Sequence, residues 1–297
     1  MVDLNVVIPT KYRLLPNRRI RRTLPENWAE VSPKQLLAYG KALRTGENAI
    51  EVRLLMARYL LKLPWYLFFV LNRVQLAQIT YELRWLNEQP LTRNMFPKIN
   101  RVAGRNLQGP GDRFSGMTLG EFAAASAYYD GFQRTKNPEL LDYLIAVLYR
   151  PAASTRGPAS TVDPAVDRTH GVARRRYATA AVSDYLPQVR KIHPDIKQAI
   201  LLYFAGCLSE LAVRYPLLFA AVDTATVDTA AVDTAATGQA EAGPRSDWLD
   251  FMRHLPADKF GTLEQIEQSG LHAVLEVAHR MMLDAKKEKA HAARRLR

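Results

Sequence analysis

The chain contains a single cysteine, Cys207, among its 297 residues. One cysteine excludes a framework of intramolecular disulfides and any zinc site built from several thiolates. Glycine and proline are also sparse, at 15 and 17 residues, which is too few for a fibrous or wholly disordered chain. Since 48% of the residues are hydrophobic, the composition is that of a globular protein with a sizeable core in one or two domains.

Long apolar runs are missing as well. Residues 1–20 contain no apolar stretch longer than Val6–Ile8, so no secretory signal is expected. The longest apolar region, 54–71, is interrupted by two cations and a proline, which argues against a membrane span. We therefore expect a soluble protein from the reducing interior of a cell, with no membrane partner.

Catalytic and metal-binding motifs are not recognisable in the chain. The glycines of residues 104–111 are not followed by the Gly-Lys-Ser/Thr of a phosphate-binding loop. His272 and His279 fall on one helix face, but two helical turns hold them about 10 Å apart, too far for one metal ion. We predict no catalytic residue, metal or cofactor and expect a protein that is not an enzyme. A site assembled from residues distant in sequence is the alternative to that expectation.

Acidic residues are scarce relative to basic ones, and the imbalance is concentrated at the two ends. The net charge is +12. Residues 1–22 hold six cations against one carboxylate, a net +5, and residues 284–297 hold six against two, a net +4. Because the remaining 261 residues carry only +3, the basic excess belongs to the termini. Such ends either contact an acidic partner or phosphate backbone, with strong salt dependence, or are solvated ends that keep the chain soluble.

Three basic clusters are the candidate contacts for a partner or polyanion. They comprise Arg18, Arg19, Arg21, Arg22, Arg174, Arg175, Arg176, Lys286, Lys287, Lys289, Arg294 and Arg295. Neither terminal cluster interleaves aromatic side chains with its cations, as a base-stacking surface does. The central cluster can equally be a solvated loop.

Hydrophobic spacing throughout the chain favours helices, and no run of short alternating strands is predicted. The predicted fold class is all-α, a multi-helix bundle of roughly nine helices with long irregular loops. The predicted regions are a basic extended arm at 1–22, an N-terminal helical region at 23–100, a Gly/Pro connector at 101–116, a C-terminal helical region at 117–285 with mobile loops at 151–176 and 220–245, and a basic tail at 286–297.

Local signals mark several helix starts. Ser32-Pro33 has the N-cap and first-turn residues of a helix. Thr118 to Glu121 and Thr262 to Gln265 have the spacing of capping boxes, in which the fourth side chain bonds back to the N-cap. A Val-Asp-Thr-Ala repeat fills residues 222–236 with a period of five, which matches neither helix nor strand and indicates a disordered surface insertion.

A series of short motifs follows in a fixed order through residues 117–285. It comprises Met117–Phe122, Leu144–Pro151 with its Leu-Tyr-Arg-Pro element, Ala199–Cys207, Tyr215–Phe219, Trp248 and Lys259–Gly261. This order resembles helical proteins of phage and prophage tail modules, of the tail-assembly-chaperone or minor-tail-component kind. The Val-Asp-Thr-Ala region departs from the pattern as an insertion, and residues 1–116 contribute nothing to the resemblance.

The resemblance implies a non-enzymatic assembly factor or minor structural protein that binds a helical partner through apolar helix faces. The implied partner is a tape-measure-like rod or another tail protein. The implied location is the host cell cytoplasm, or the virion for a structural component. The alternative is a nucleic-acid-associated protein that uses the basic terminal tails.

Overall fold

The structure is a computed structural model of the full chain. It describes residues 2–8, 18–46, 48–61, 71, 73–102, 105–151, 166–167, 174–175, 177–219 and 247–295. The predicted loop at 220–245 lies outside the described residues, as do most of the loop at 151–176 and the middle of the basic arm. Arg176 lies outside them too.

The chain is predominantly helical, which confirms the predicted all-α, multi-helix fold class. Twelve α-helices have both ends within the described residues. They are α1 (Pro33–Thr45), α2 (Ala49–Leu61), α3 (Arg73–Glu82), α4 (Trp85–Glu88), α5 (Leu119–Thr135), α6 (Pro138–Leu148), α7 (Val182–Val189), α8 (Pro194–Arg214), α9 (Asp247–Arg253), α10 (Ala257–Phe260), α11 (Leu263–Gln268) and α12 (Leu271–Arg295).

The structure has more than the predicted nine helices. Two segments in which hydrophobic spacing predicts one helix, 73–87 and Thr262 through Leu271, are each divided in two, and α7 was not predicted. The segment expected to form one helix over 73–87 forms α3 and α4, separated by a two-residue turn. The helix expected to begin at Thr262 and run on through Leu271 ends at Ser269, which is extended with ψ 148°. A new helix, α12, then starts at Leu271 and continues through the basic tail to Arg295.

Three small antiparallel sheets accompany the helices, and the sequence did not predict them. β1 (Val2–Ile8) pairs with β2 (Arg18–Leu24). β3 (Lys98–Val102), β4 (Arg105–Gln108) and β5 (Arg150–Pro151) form the second sheet, in that order. β6 (Val166–Asp167) pairs with β7 (Arg174–Arg175). The second sheet occupies much of the predicted Gly/Pro connector.

The chain divides into two compact units, each built from segments distant in sequence. Unit 1 comprises residues 1–95 and 193–206, and unit 2 comprises residues 96–192 and 207–297. The division therefore falls within α8, whose first thirteen residues belong to unit 1 and whose remainder belongs to unit 2.

The core of unit 1 contains an aromatic cluster. Trp28 packs against Tyr39 and Trp85 with ring centroids 5.4 and 5.1 Å apart, and all three side chains are buried. The Trp28 indole donates a hydrogen bond of 2.8 Å to the carbonyl of Gln89. These contacts join the segment before α1 to the turn after α4. Trp28 and Gln89 are 61 residues apart in sequence, so the hydrogen bond between them is a long-range contact within unit 1.

Helix α1 begins as the sequence predicts. Ser32 is its N-cap, Pro33 is the first helical residue, and a full capping box forms with Gln35.

Helix α8 approaches the backbone of Leu91 so closely that a Cβ on Gly206 would lie 2.3 Å from the Leu91 carbonyl oxygen. Only glycine permits this approach.

Unit 2 is built around α5 and α6. Thr118 caps α5 by accepting from the backbone N–H of Glu121, and Asn137 caps α6 after a two-residue turn. Phe122 packs edge-on against Trp248 at 4.9 Å, which joins α5 to α9. The start of α12 is fixed to the start of α5, because the Leu271 N–H donates to the Met117 carbonyl at 2.9 Å.

By length and composition alone, one described helix, α8, is apolar enough to cross a membrane. The finding is weak evidence, because the core helix of a soluble protein passes the same test. In the most apolar part of α8, 44% of the residues are buried within the structure.

Candidate functional site

The predicted basic contacts are distributed over three elements. Arg18, Arg19, Arg21 and Arg22 make up four of the seven residues of β2, in unit 1. Arg174 and Arg175 form β7, in unit 2. The remaining predicted contacts all lie on α12, also in unit 2: Lys286, Lys287, Lys289, Arg294 and Arg295. The predicted contacts therefore belong to both units.

The C-terminal half of α12 extends away from the core of unit 2. Val274, Leu275 and Ala278 are buried, but every described side chain from Leu283 to Arg295 is exposed. One of its cations, Lys287, lies 3.5 Å from the carboxylate of Asp284. Since no burial stabilises this part of the helix, its backbone depends on local propensity, which its Ala, Lys and Glu residues supply.

Unit 2 contains a buried ion pair that joins α5 to the residues directly after α6. A guanidinium nitrogen of Arg150, from the Leu-Tyr-Arg-Pro element, lies 2.5 Å from a carboxylate oxygen of Glu121, in α5. Their side chains are 2% and 1% exposed. Sequence reasoning had assigned Glu121 to a capping box, and the structure instead shows its carboxylate bonded to Arg150.

The carboxylate of this pair, Glu121, interacts electrostatically with the phenol of Tyr177. Burial raises the pKa of the Tyr177 phenol above its usual value, and the nearby carboxylates of Glu121 and Glu267 act in the same direction. The Thr179 hydroxyl donates a hydrogen bond to the phenolic oxygen and opposes the increase in pKa. The phenol is therefore neutral at physiological pH, as expected of a packed tyrosine.

Two of the three histidines of α12, His272 and His279, make separate contacts. His272 Nε2 lies 2.7 Å from the carbonyl oxygen of Arg113, a residue held at a φ of 54°. The His279 ring packs edge-on against Tyr215, with centroids 5.6 Å apart. Throughout the part of the chain that the structure describes, no three His, Cys, Asp or Glu side chains group as metal ligands do.

A groove between α1 and α2 in unit 1 is a site that sequence reasoning missed. It encloses about 950 Å³. Its lining is mostly apolar or basic: Ser32, Lys34, Gln35, Leu37, Ala38, Lys41, Ala42, Thr45, Leu55, Arg58, Tyr59, Leu60 and Asp195. A signal was present in the sequence, since Lys34, Ala38, Lys41 and Thr45 recur at helical spacing on one face of α1.

Large apolar side chains are exposed on the neighbouring helices of unit 1. Ile50 and Tyr59 on α2 are 60% and 45% exposed, and Val74 and Tyr81 on α3 are 75% and 58% exposed. Helices with one buried and one exposed apolar face are typical of proteins that bind a further helix.

These features describe a helical protein with a groove, an exposed basic helix and a buried ion pair. Comparison of the chain with protein-family models, with curated proteins and with solved structures gives no match.

Proposed function

We propose that this chain is a non-enzymatic assembly factor or minor structural protein of a phage-type tail, which binds a helical partner through apolar helix faces. The observation that carries the proposal is the open groove between α1 and α2, together with the exposed apolar residues of α2 and α3. An apolar groove between two helices is the form of site that receives the apolar face of a third helix.

The ionisable groups support a role in packing. Burial raises the pKa values of four tyrosines, Tyr39, Tyr128, Tyr129 and Tyr177. Tyr128 stacks on Tyr143 with centroids 5.1 Å apart, and Tyr39 belongs to the core of unit 1. Burial is the largest cause of each of the four increases in pKa.

The proposal is tested by co-expression with a long helical-rod protein encoded beside this chain, followed by size-exclusion chromatography at micromolar concentration. The expected result is one complex that contains both chains. Separate elution of the two proteins would contradict the proposal. A rod protein from an unrelated source serves as the control and should elute separately.

A second candidate function, association with nucleic acid, is favoured by the exposed half of α12. This segment presents five cations against two carboxylates between Leu283 and Arg295, none of them in the core. The expected result is a gel shift of duplex DNA or RNA at about 50 mM salt that disappears as salt rises. The triple charge reversal K286E/K287E/K289E should abolish the shift. No shift by the intact protein at low salt would exclude this candidate.

A further inference from the structure

The groove between α1 and α2 has apolar walls. Leu37 and Ala38 on α1 and Leu55 on α2 are only partly buried, and Tyr59 stands at the edge with 45% of its surface exposed. Beneath them, Ala42 and Leu60 are buried and close the floor. The walls can therefore bury further apolar area against a partner, which favours binding.

The rim of the groove is basic, and its cations keep their charge as far as the described residues are concerned. Lys34, Lys41 and Arg58 are exposed, and none of them makes an ion pair with any residue that the structure describes. The carboxylate in the lining, Asp195, is bonded to Arg44 outside the groove and is 14% exposed. The charge left facing the groove is therefore positive.

We propose that the groove docks an acidic amphipathic helix of a partner protein. This inference rests on the proposed function and specifies the partner's chemistry: apolar residues at i, i+3, i+4 and i+7 against the groove walls, flanked by Asp or Glu that face Lys34, Lys41 and Arg58. Charge complementarity of this kind sets orientation and speeds encounter.

The apolar walls distinguish this occupant from a polyanion. A phosphate backbone would find cations on the rim but would leave Leu37, Ala38, Leu55 and Tyr59 in contact with charge and water. The dimensions also suit a helix. α1 has 13 residues and is therefore about 20 Å long, which matches three to four turns of a partner lying along it.

The test uses a synthetic peptide of about 15 residues, a length at which isolated helices begin to form. It carries leucine at the helical spacing above and glutamate on both flanks, and fluorescence anisotropy measures its binding to the full-length protein. We expect saturable binding that weakens with salt. A peptide with every glutamate replaced by lysine should bind at least about tenfold more weakly.

Two pairs of variants locate the site. K34E/K41E/R58E should weaken binding of the glutamate peptide about tenfold or more, whereas K286E/K287E/K289E, with the same change in charge, should alter it less than about twofold. Tyr59→Ala should weaken binding, whereas Val277→Ala, at an apolar residue of α12 in unit 2 that is equally exposed at 45%, should not. This pair of single variants keeps the test decisive if the triple variant fails to fold, as circular dichroism would show.

Absence of binding, equal binding of the lysine peptide, or equal loss in the control variants would overturn the inference. Binding of oligothymidylate that K34E/K41E/R58E removes, with no binding of the peptide, would assign the groove to a polyanion instead. The proposed function fails separately. If the native rod protein binds the intact chain and K34E/K41E/R58E equally well, the proposed function is supported and the assignment of the groove as the docking site is wrong.

Discussion

At the scale of single residues, the pair formed by Glu121 and Arg150 is the most consequential polar contact in unit 2. Both side chains are almost fully buried, and the two residues are 29 positions apart in sequence. Removing two charges from water costs free energy, which their attraction offsets only while both partners are present. The pair therefore contributes specificity to the docking of β5 against α5.

Replacing Arg150 with methionine is expected to destabilise the protein by about 3–5 kcal/mol, because it leaves the carboxylate of Glu121 buried without its partner. The double variant E121L/R150M should recover most of this loss, since no buried charge remains. Urea denaturation followed by circular dichroism measures both free energies of unfolding. A single variant as stable as the wild type would show that the pair is not formed in solution.

The buried phenol of Tyr39 is expected to make the free energy of unfolding depend on pH above pH 10. Burial raises the pKa of its phenol to about 12, from 10.0, while the charge of Arg53 acts in the opposite direction. Because the unfolded phenol ionises first, this contribution to stability is present below pH 10 and is lost as the pH rises to 12. The loss amounts to about 1.4 kcal/mol for each pH unit.

The variant Tyr39→Phe isolates this effect from the ionisation of lysines and other tyrosines. It lacks the hydroxyl that lies 3.1 Å from Asn87 Oδ1, so it should be less stable at neutral pH. The difference in unfolding free energy between wild type and variant should then shrink between pH 10 and pH 12. A difference that is constant over this range would contradict the pKa of Tyr39.

At the scale of secondary-structure elements, features that depend on residues close in sequence are predicted correctly, and features that depend on contacts between distant residues are not. Ser32 and Thr262 form the expected caps, because each cap involves residues only three apart. The strands β3 and β4 were missed because each is five residues or shorter and β3 pairs through an irregular register. Glu121 was misassigned because its partner lies in a different element, which local patterns do not show.

Because α8 packs closely against Leu91, we expect Gly206→Ala and Gly270→Ala to change the stability of the protein by different amounts. A Cβ at Gly206 would meet backbone atoms of Leu91 at 2.3 to 2.7 Å, so Gly206→Ala must displace backbone. The expected cost is about 1–3 kcal/mol or more, which exceeds the roughly 1 kcal/mol that alanine gains in helix propensity.

Gly270→Ala is the matched control, since nothing lies within 4 Å of a Cβ at that position. It should be neutral, or stabilising by about 0.4–1 kcal/mol through a less flexible unfolded chain. Thermal unfolding of both variants provides the comparison. Equal stability of the two would show that α8 does not approach Leu91 as closely as described.

At the scale of the whole molecule, the sequence predicted the helical class but not the composition of the units. Residues 193–206 belong to unit 1, although they lie about a hundred positions from its other segment. Hydrophobic spacing identifies α8 as a core helix but cannot specify which helices surround it. The groove between α1 and α2 depends on the same tertiary information, which is why its basic rim was not among the predicted contacts.

The distribution of charge over the molecule leads to a prediction about the C-terminal segment. Residues 284–297 carry a net +4 of the total +12, and no described side chain of α12 beyond Ala278 is buried. Deleting residues 283–297 should therefore change the free energy of unfolding by less than about 0.5 kcal/mol, as surface changes do.

Leu275→Ala is the contrasting variant, because Leu275 is fully buried on the same helix and its truncation should cost about 2–5 kcal/mol. Urea denaturation compares both proteins with the wild type, and retention on a cation-exchange column reports the loss of charge. We expect the shortened chain to elute earlier and unfold at the same urea concentration. A marked loss of stability in the shortened chain would mean that the exposed half of α12 packs against the protein, and a free basic helix would then be unsupported as a nucleic-acid contact.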